Sequence, residues 1–394
     1  MFHVVKRAAL RYIGNNNRIW KSGLESELEN GYGFREALMK LEAQEWTGAD
    51  HESYSEEKSK YRGDDMENLR VADSARGIGT IRVGDNVYFA QGTTVRSEDD
   101  SVAIGNDSWV LENSVVIGTP EHPVHIGSKT VFGHKCIIIG AQVGDLCEVG
   151  NATIFLPGAK IGSRCRFGEG TIIPSGAVIP DESVVVGRPG RVIRSLTEED
   201  RAMIARMRGN DVSLRPVTEK SVKFEPKEGD NVGKLYTSNG KYPEIDETAH
   251  IYDTAEITGD VMIGSDSVIA SGVRIIGNSH GPVRVGNRVQ ILENTVLHLL
   301  PDNQLIIEDN VTIGPGCVIH GTTIGANCVI ESGAIVCDYS VLGENTLVRS
   351  GSLVKQKSVV PDNQIMEGFP AKSVGENEGI LKRPSWAMRD ITEA

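Results

Sequence analysis

The chain has 394 residues, with 41 Lys and Arg against 54 Asp and Glu, a formal net charge of −13 and a pI near 5.3. That acidic balance disfavours a nucleic-acid or anionic-membrane partner, and no run of 18 or more apolar residues is present to span a bilayer. The six cysteines do not read as a disulfide framework, because Cys136 matches Cys317 and Cys147 matches Cys328 across an internal repeat, at positions that take small apolar residues. Buried free thiols in a reducing cytosol are the expectation.

In chain order, residues 1–75 are acidic and helix-prone. GLESELEN and FREALMKLEAQEW set apolar residues at helical spacing between Gly31, Gly33 and Gly48, which predicts a helical N-terminal extension. The first 23 residues hold Lys6, Arg7, Arg11, Arg18 and Lys21 without an acid. They lack a clear cleavage signal, so a transit peptide is set aside and a cytoplasmic protein is expected. Residues 76–208 form a first domain, 209–244 a polar linker, 245–375 a second domain and 376–394 a polar tail whose fold is unreadable.

Within both domains a short apolar residue followed by Gly recurs at multiples of about six: Ile104, Ile126, Val143 and Ile161 in the first, then Ile263, Val285, Ile313, Ile324 and Leu342 in the second. One inward aliphatic per six residues marks a parallel β-helix, in which three short strands make a triangular coil of about 18 residues. The expected fold class is therefore an all-β solenoid with two tandem β-helix domains. After the first, Thr197-Glu198-Glu199-Asp200 resembles an N-terminal capping box. Leu196, Met203, Ile204 and Met207 supply the apolar stripe of one helix packed back along its own prism.

Gly105–Asp181 aligns without a gap on Gly286–Asp362 at an offset of 181 residues, so the chain contains itself twice. The copies divide three histidine slots: the second has His298 and His320 where the first has Ile117 and Ile139, and the first has His134 where the second has Pro315. His298 and His320 are 22 residues apart, one coil plus a four-residue excess that predicts an outward loop around Leu299–Asn303. Both rings then stand on one face of adjacent coils, about 5 Å apart. Such a pair suits two ligands of one zinc, which takes three protein ligands and a water in a catalytic site.

The order VRVGNRVQILENTVLH, IIEDNVTIGPGCVIHGTTIGANCVI, GSLV and GFPAK resembles the γ-class carbonic anhydrases, over residues 76–195 and 250–374. The resemblance implies left-handed β-helices that assemble as trimers through their faces. It also implies zinc (Zn2+) held by two histidines of one subunit and a third, in a GHG motif, from its neighbour. Carried over, His298 and His320 match the same-subunit pair and His134 the neighbour's histidine. One mixed interface would complete a site; the reverse one, with Ile117 and Ile139 facing Pro315, would be metal-free.

Around the metal the pattern departs from the family. Its Arg-Gly-Asp segment reads Arg96-Ser97-Glu98 in the first copy and Gly277-Asn278-Ser279 in the second. Its glutamine and aspartate read Leu111-Glu112 and Leu292-Glu293. Arg96, Glu98, Glu112 and Glu293 are the candidate catalytic residues, with Asp302 a further candidate proton shuttle; Arg96 and Glu98 read equally well as an interface ion pair. The implied activity is attack of zinc hydroxide on CO2 or another small carbonyl substrate. Two alternatives stand beside it: a hexapeptide acyltransferase using coenzyme A, with His122, His125 or His280 as base, or a non-catalytic assembly subunit. His250, His51 and His3 show no context.

Overall fold

The computed structural model describes residues 69–224, 233–277 and 281–389. Nearly all of the expected N-terminal extension, with His3 and His51, lies outside the described residues, as does His280. Leu69–Val71 is already a strand of the first coil, paired in parallel with Val87–Phe89.

Two tandem left-handed parallel β-helices, about 16 turns in all, make up the fold. Most strands are two to four residues long and recur about every 18 residues, as where Ile154 pairs Ile172 and Gln142 pairs Lys160. The residue between two turns points inward, so each prism has a continuous apolar axis. In the first copy it includes Phe132, Phe155 and Phe167, stacked edge to face at 5.9 and 5.1 Å. Turn residues sit at positive φ, where Asn, Asp and Gly dominate. Each copy closes with an equivalent hairpin, Ser183–Gly187 on Gly190–Ser195 and Gln364–Gly368 on Ala371–Glu376.

The capping-box helix forms over Glu198–Met207: the Thr197 side chain accepts from Asp200 N, and Asp200 accepts from Thr197 N. It lies back on its own prism, with Leu196 and Ile204 buried against Leu146. Asp200 also binds Arg166 and Arg194. These partners, Arg194 first, hold its carboxyl below the usual carboxylate range.

The segment expected as a linker then climbs the first prism. Arg208 pairs with Glu148, Asp211 with Lys129, Arg215 with Asp107 and Glu219 with Arg82. Lys220–Phe224 finally pairs antiparallel with Gly79–Val83 on the first coils. The chain is thus carried back to the start of copy 1 before copy 2 begins, which sets the prisms side by side and parallel. The described part of the tail, through Arg389, packs against the two copies. The Gln290 amide clamps Met388, donating to its carbonyl and accepting from its N–H at 2.8 and 2.9 Å.

Candidate functional site

The two copies meet along one seam. The outward residues of one sheet of copy 1, Val115, Ile117, Ile137, Ile139 and Ile154, are buried in the same apolar cluster as copy 2's interior. Against this ladder stands a corner of copy 2. A Cβ built on Gly316, Gly333 or Gly351 would fall 2.8 Å from Ile137 Cδ1, 2.7 Å from Ile154 Cδ1 and 2.4 Å from Ile172 Cδ1 respectively. Residues 181 apart touch each other: Asn294 Nδ2 donates to Asn113 O at 3.2 Å, and the Arg188 guanidinium lies 5.1 Å over the Phe369 ring. Arg76 and Asp253 close the upper end at 2.8 Å.

This is the reverse of the pairing that would bring the three histidines together. Its three slots are Ile117, Ile139 and Pro315, all buried. In its upper part lies a buried ionic network. Arg96 Nε donates to Glu293 Oε1 at 2.8 Å, Nη1 to Glu98 Oε1 at 2.7 Å and Nη2 to Trp386 O at 2.6 Å. Arg96 is 3% and Glu293 0% exposed. Glu293 Oε2 has no hydrogen-bond partner among the described residues, and burial, reinforced by the Glu293 charge, pushes the neighbouring Tyr252 hydroxyl up. Arg389 binds Glu98 and Asp99 from the tail, at 3.3 and 2.6 Å. The structure therefore brings Arg96, Glu98 and Glu293 together as an interface ion cluster under the tail, away from all three histidines. The ladder register also corrects the sequence alignment: Arg96 pairs Ile117 and Ile276 pairs His298, so Ile276, not Gly277, is the counterpart of Arg96.

His298 and His320 occupy the equivalent ladder of copy 2, which nothing among the described residues covers. Val296 pairs Val318 and Leu297 pairs Ile319, so the two histidines follow in register with ring centroids 6.2 Å apart and planes at 89°. The four-residue excess is used in a turn at Pro301-Asp302, with Leu299 buried and Asp302 exposed. Asp338 Oδ2 stands 3.4 Å from His320 Nδ1, while its Oδ1 accepts from Asn303 Nδ2 and Gly321 N. The carboxylate lies beside the ring, but His320 Nδ1 has no hydrogen-bond partner among the described residues.

His134 lies on the open corner of copy 1 with its side chain 50% exposed and Nδ1 2.6 Å from Glu112 Oε2. It presents the same carboxylate-backed chemistry, but not to His298 and His320 of its own chain: among the described residues no three His, Cys, Asp or Glu side chains gather to share a metal ion. The donor set nevertheless fits zinc, which takes imidazole nitrogens, and each of these two rings has one nitrogen beside a carboxylate. The remaining histidines show less. His122 Nε2 is 3.7 Å from Glu121, His125 is exposed on Val124–Ile126, and His250 packs edge-on to Tyr252 at 4.8 Å, burial pushing its pKa down. Asp338 and the tail residues Trp386 and Met388 escaped sequence reasoning, because each matters through a contact between distant segments.

Residues 305–338 match the pattern described as bacterial transferase hexapeptide (six repeats), and residues 123–154 the hexapeptide repeat of succinyl-transferase. A probable carbonic anhydrase of Methanocaldococcus jannaschii is 46% identical over 134 residues, 34% of this chain and 84% of that protein. The chain belongs to the γ-carbonic anhydrase-like family of hexapeptide-repeat proteins. A carbonic anhydrase of Geobacillus kaustophilus is 41% identical over 104 residues, 26% of this chain, and the chain spans 57% of that relative's length. Gamma carbonic anhydrase 1 of Arabidopsis thaliana mitochondria is 34% identical over 150 residues, 36% of this chain and 54% of that protein. A hexapeptide transferase family protein of Anaplasma phagocytophilum overlays with a TM-score of 0.35 at 33% identity, covering 37% of this chain and 85% of that one. Among the described residues of this γ-carbonic anhydrase-like protein, no helix is long and apolar enough to cross a membrane.

Proposed function

We propose that this chain is part of a zinc-dependent lyase of the γ-carbonic anhydrase type, acting on CO2 or a related small carbonyl substrate. His298 and His320 hold one metal together with a third histidine from a neighbouring β-helix, and His134 is such a third histidine for a neighbour's face. The observation that carries this reading is the His298–His320 pair, 6.2 Å apart and left uncovered by the described residues, on a ladder whose counterpart in copy 1 the chain buries with isoleucines.

Bound zinc would lower the pKa of a water to about 7 and so supply a hydroxide nucleophile. The chain's own groups do the positioning. Glu112 sets the His134 ring, and Asp338 places a negative charge 3.4 Å from His320 Nδ1. The exposed Asp302, in the turn after His298, is an acid on the open side that can carry protons to solvent. Arg96 and Glu293 serve assembly, since both are buried beneath the tail, and the partly exposed Glu98 pairs with Arg96 at the edge of that cluster. The buried thiols support a reducing, cytoplasmic setting.

Metal analysis of the natural assembly, purified through a tag on this chain, tests the proposal. Zinc is expected, falling at least tenfold at this face on His298→Ala or His320→Ala, together with loss of CO2 hydration measured by stopped flow. Zinc content unchanged in both variants would overturn it.

A further inference from the structure

Each prism has two surfaces suited to the seam: a ladder of outward residues and the corner beside that ladder. Within the chain the ladder of copy 1 meets the corner of copy 2. Among the described residues, the ladder of copy 2, with Val296, Val318, Ile335 and Leu353 around the two histidines, stays partly exposed. The corner of copy 1 stays open too, with His134, Lys135, Asn151 and Ala152 exposed.

The seam fixes the number of places in such an assembly. A corner of a triangular prism points away from the face opposite it. The corner at Gly316, Gly333 and Gly351 instead adjoins the ladder of its own prism, and it points onto the equivalent ladder of its neighbour. Among rotations about the common prism direction, only one third of a revolution brings a corner onto a face in that way. Two copies thus occupy two places of a three-membered ring, and contact between residues 181 apart, Asn113 with Asn294, sets its axis beside these corner columns.

We infer that the third place is filled by a different chain: a single-copy β-helix of the same hexapeptide class, with its corner on the His298–His320 ladder and its own ladder on the His134 corner. A second copy of this chain cannot enter, because its copy 1 ladder and its copy 2 corner are already covered by each other. Whichever copy entered would carry its sibling onto a place already filled. The docking rests on the seam geometry alone; that a partner with histidines in all three slots completes two metal sites rests on the zinc reading above.

The probe is the Methanocaldococcus jannaschii relative, of which the 134 matched residues are 84%, too little chain to hold two copies. The full-length protein is co-expressed with it, and native mass spectrometry reads the assemblies. A complex of one chain with one probe is expected, lost in the variant Ile335→Arg/Leu353→Arg while the melting of the lone chain is unchanged. Zinc is counted separately in the same complex, so docking without metal would sink the zinc reading and leave this inference standing. A full-length chain that remains alone, or that assembles only with further copies of itself, overturns the inference.

Discussion

Gly333→Ala measures the seam directly. Gly333 sits at φ +67°, and its counterpart in copy 1 is Ala152, at φ +55° on the open corner. The backbone turn therefore accepts a side chain; it is the seam that leaves no room, because an added Cβ would stand 2.7 Å from Ile154 Cδ1. Ile154 is 5% exposed and packs between the rows of Ile137 and Ile172. Two effects should add: about 1–2 kcal/mol for a left-handed alanine and about 1–3 kcal/mol for overpacking. Gly176→Ala is the control, since Gly176 has φ +68° but no atom within 4 Å of its built Cβ, so it carries only the first effect. Urea denaturation of each variant, followed by far-UV circular dichroism, gives the difference, and about 1–3 kcal/mol in excess is expected for Gly333→Ala. Equal losses in the two variants would refute the packing of this corner on the copy 1 ladder.

Three further outcomes follow from the same structure. Arg96→Leu should cost about 3–5 kcal/mol by leaving Glu293 buried and uncompensated, and Arg96→Leu/Glu293→Leu should recover most of that loss in thermal denaturation; a double variant no better than the single contradicts the pairing. Burial pushes the thiols of Cys136, Cys317 and Cys328 up to about 12. A thiol-specific dye should therefore react with native protein first at the partly exposed Cys337 and reach the other five only on unfolding, as peptide mapping would show. The depressed Asp200 carboxyl contributes stability that is fully present above its unfolded pKa of about 3.9 and is lost as pH falls through the lower folded value. Asp200→Asn should flatten that acid limb of the melting temperature and lower stability by about 1–2 kcal/mol at neutral pH through the lost cap.

The solenoid was legible because a coil of three short strands demands an inward aliphatic at each sixth position, and Ile104, Ile126, Val143 and Ile161 show it without tertiary information. The helix Glu198–Met207 was legible through its capping box, a local device. The strap over residues 209–224 was not. Its contacts are charge pairs with coils far off in sequence, as Lys129 with Asp211, and such pairing leaves no periodic trace. The tail escaped for the same reason, since the clamp on Met388 comes from Gln290, 98 residues away. The three histidines were found by aligning the copies, but the partition among surfaces was not, because sequence does not tell which corner a folded chain turns toward which ladder.

That partition has a physical logic. Every histidine slot in the closed seam holds an apolar residue or proline, Ile117, Ile139 and Pro315, and every such slot on a surface open among the described residues holds a histidine, His298, His320 and His134. A seam formed within one chain has an effective concentration set by the connecting strap, so it needs no metal to bring its sides together. Fully buried isoleucines there contribute about 1.5–3 kcal/mol each by leaving water, whereas histidines without metal would bury unpaired ring nitrogens. An open surface faces the opposite balance. It must stay compatible with water until a neighbour arrives, and carboxylate-backed imidazoles such as His134 with Glu112 do so at little cost. On the proposed assembly, linking two prisms therefore assigns packing to the seam inside the chain and leaves chemistry to the two seams that only a partner can close.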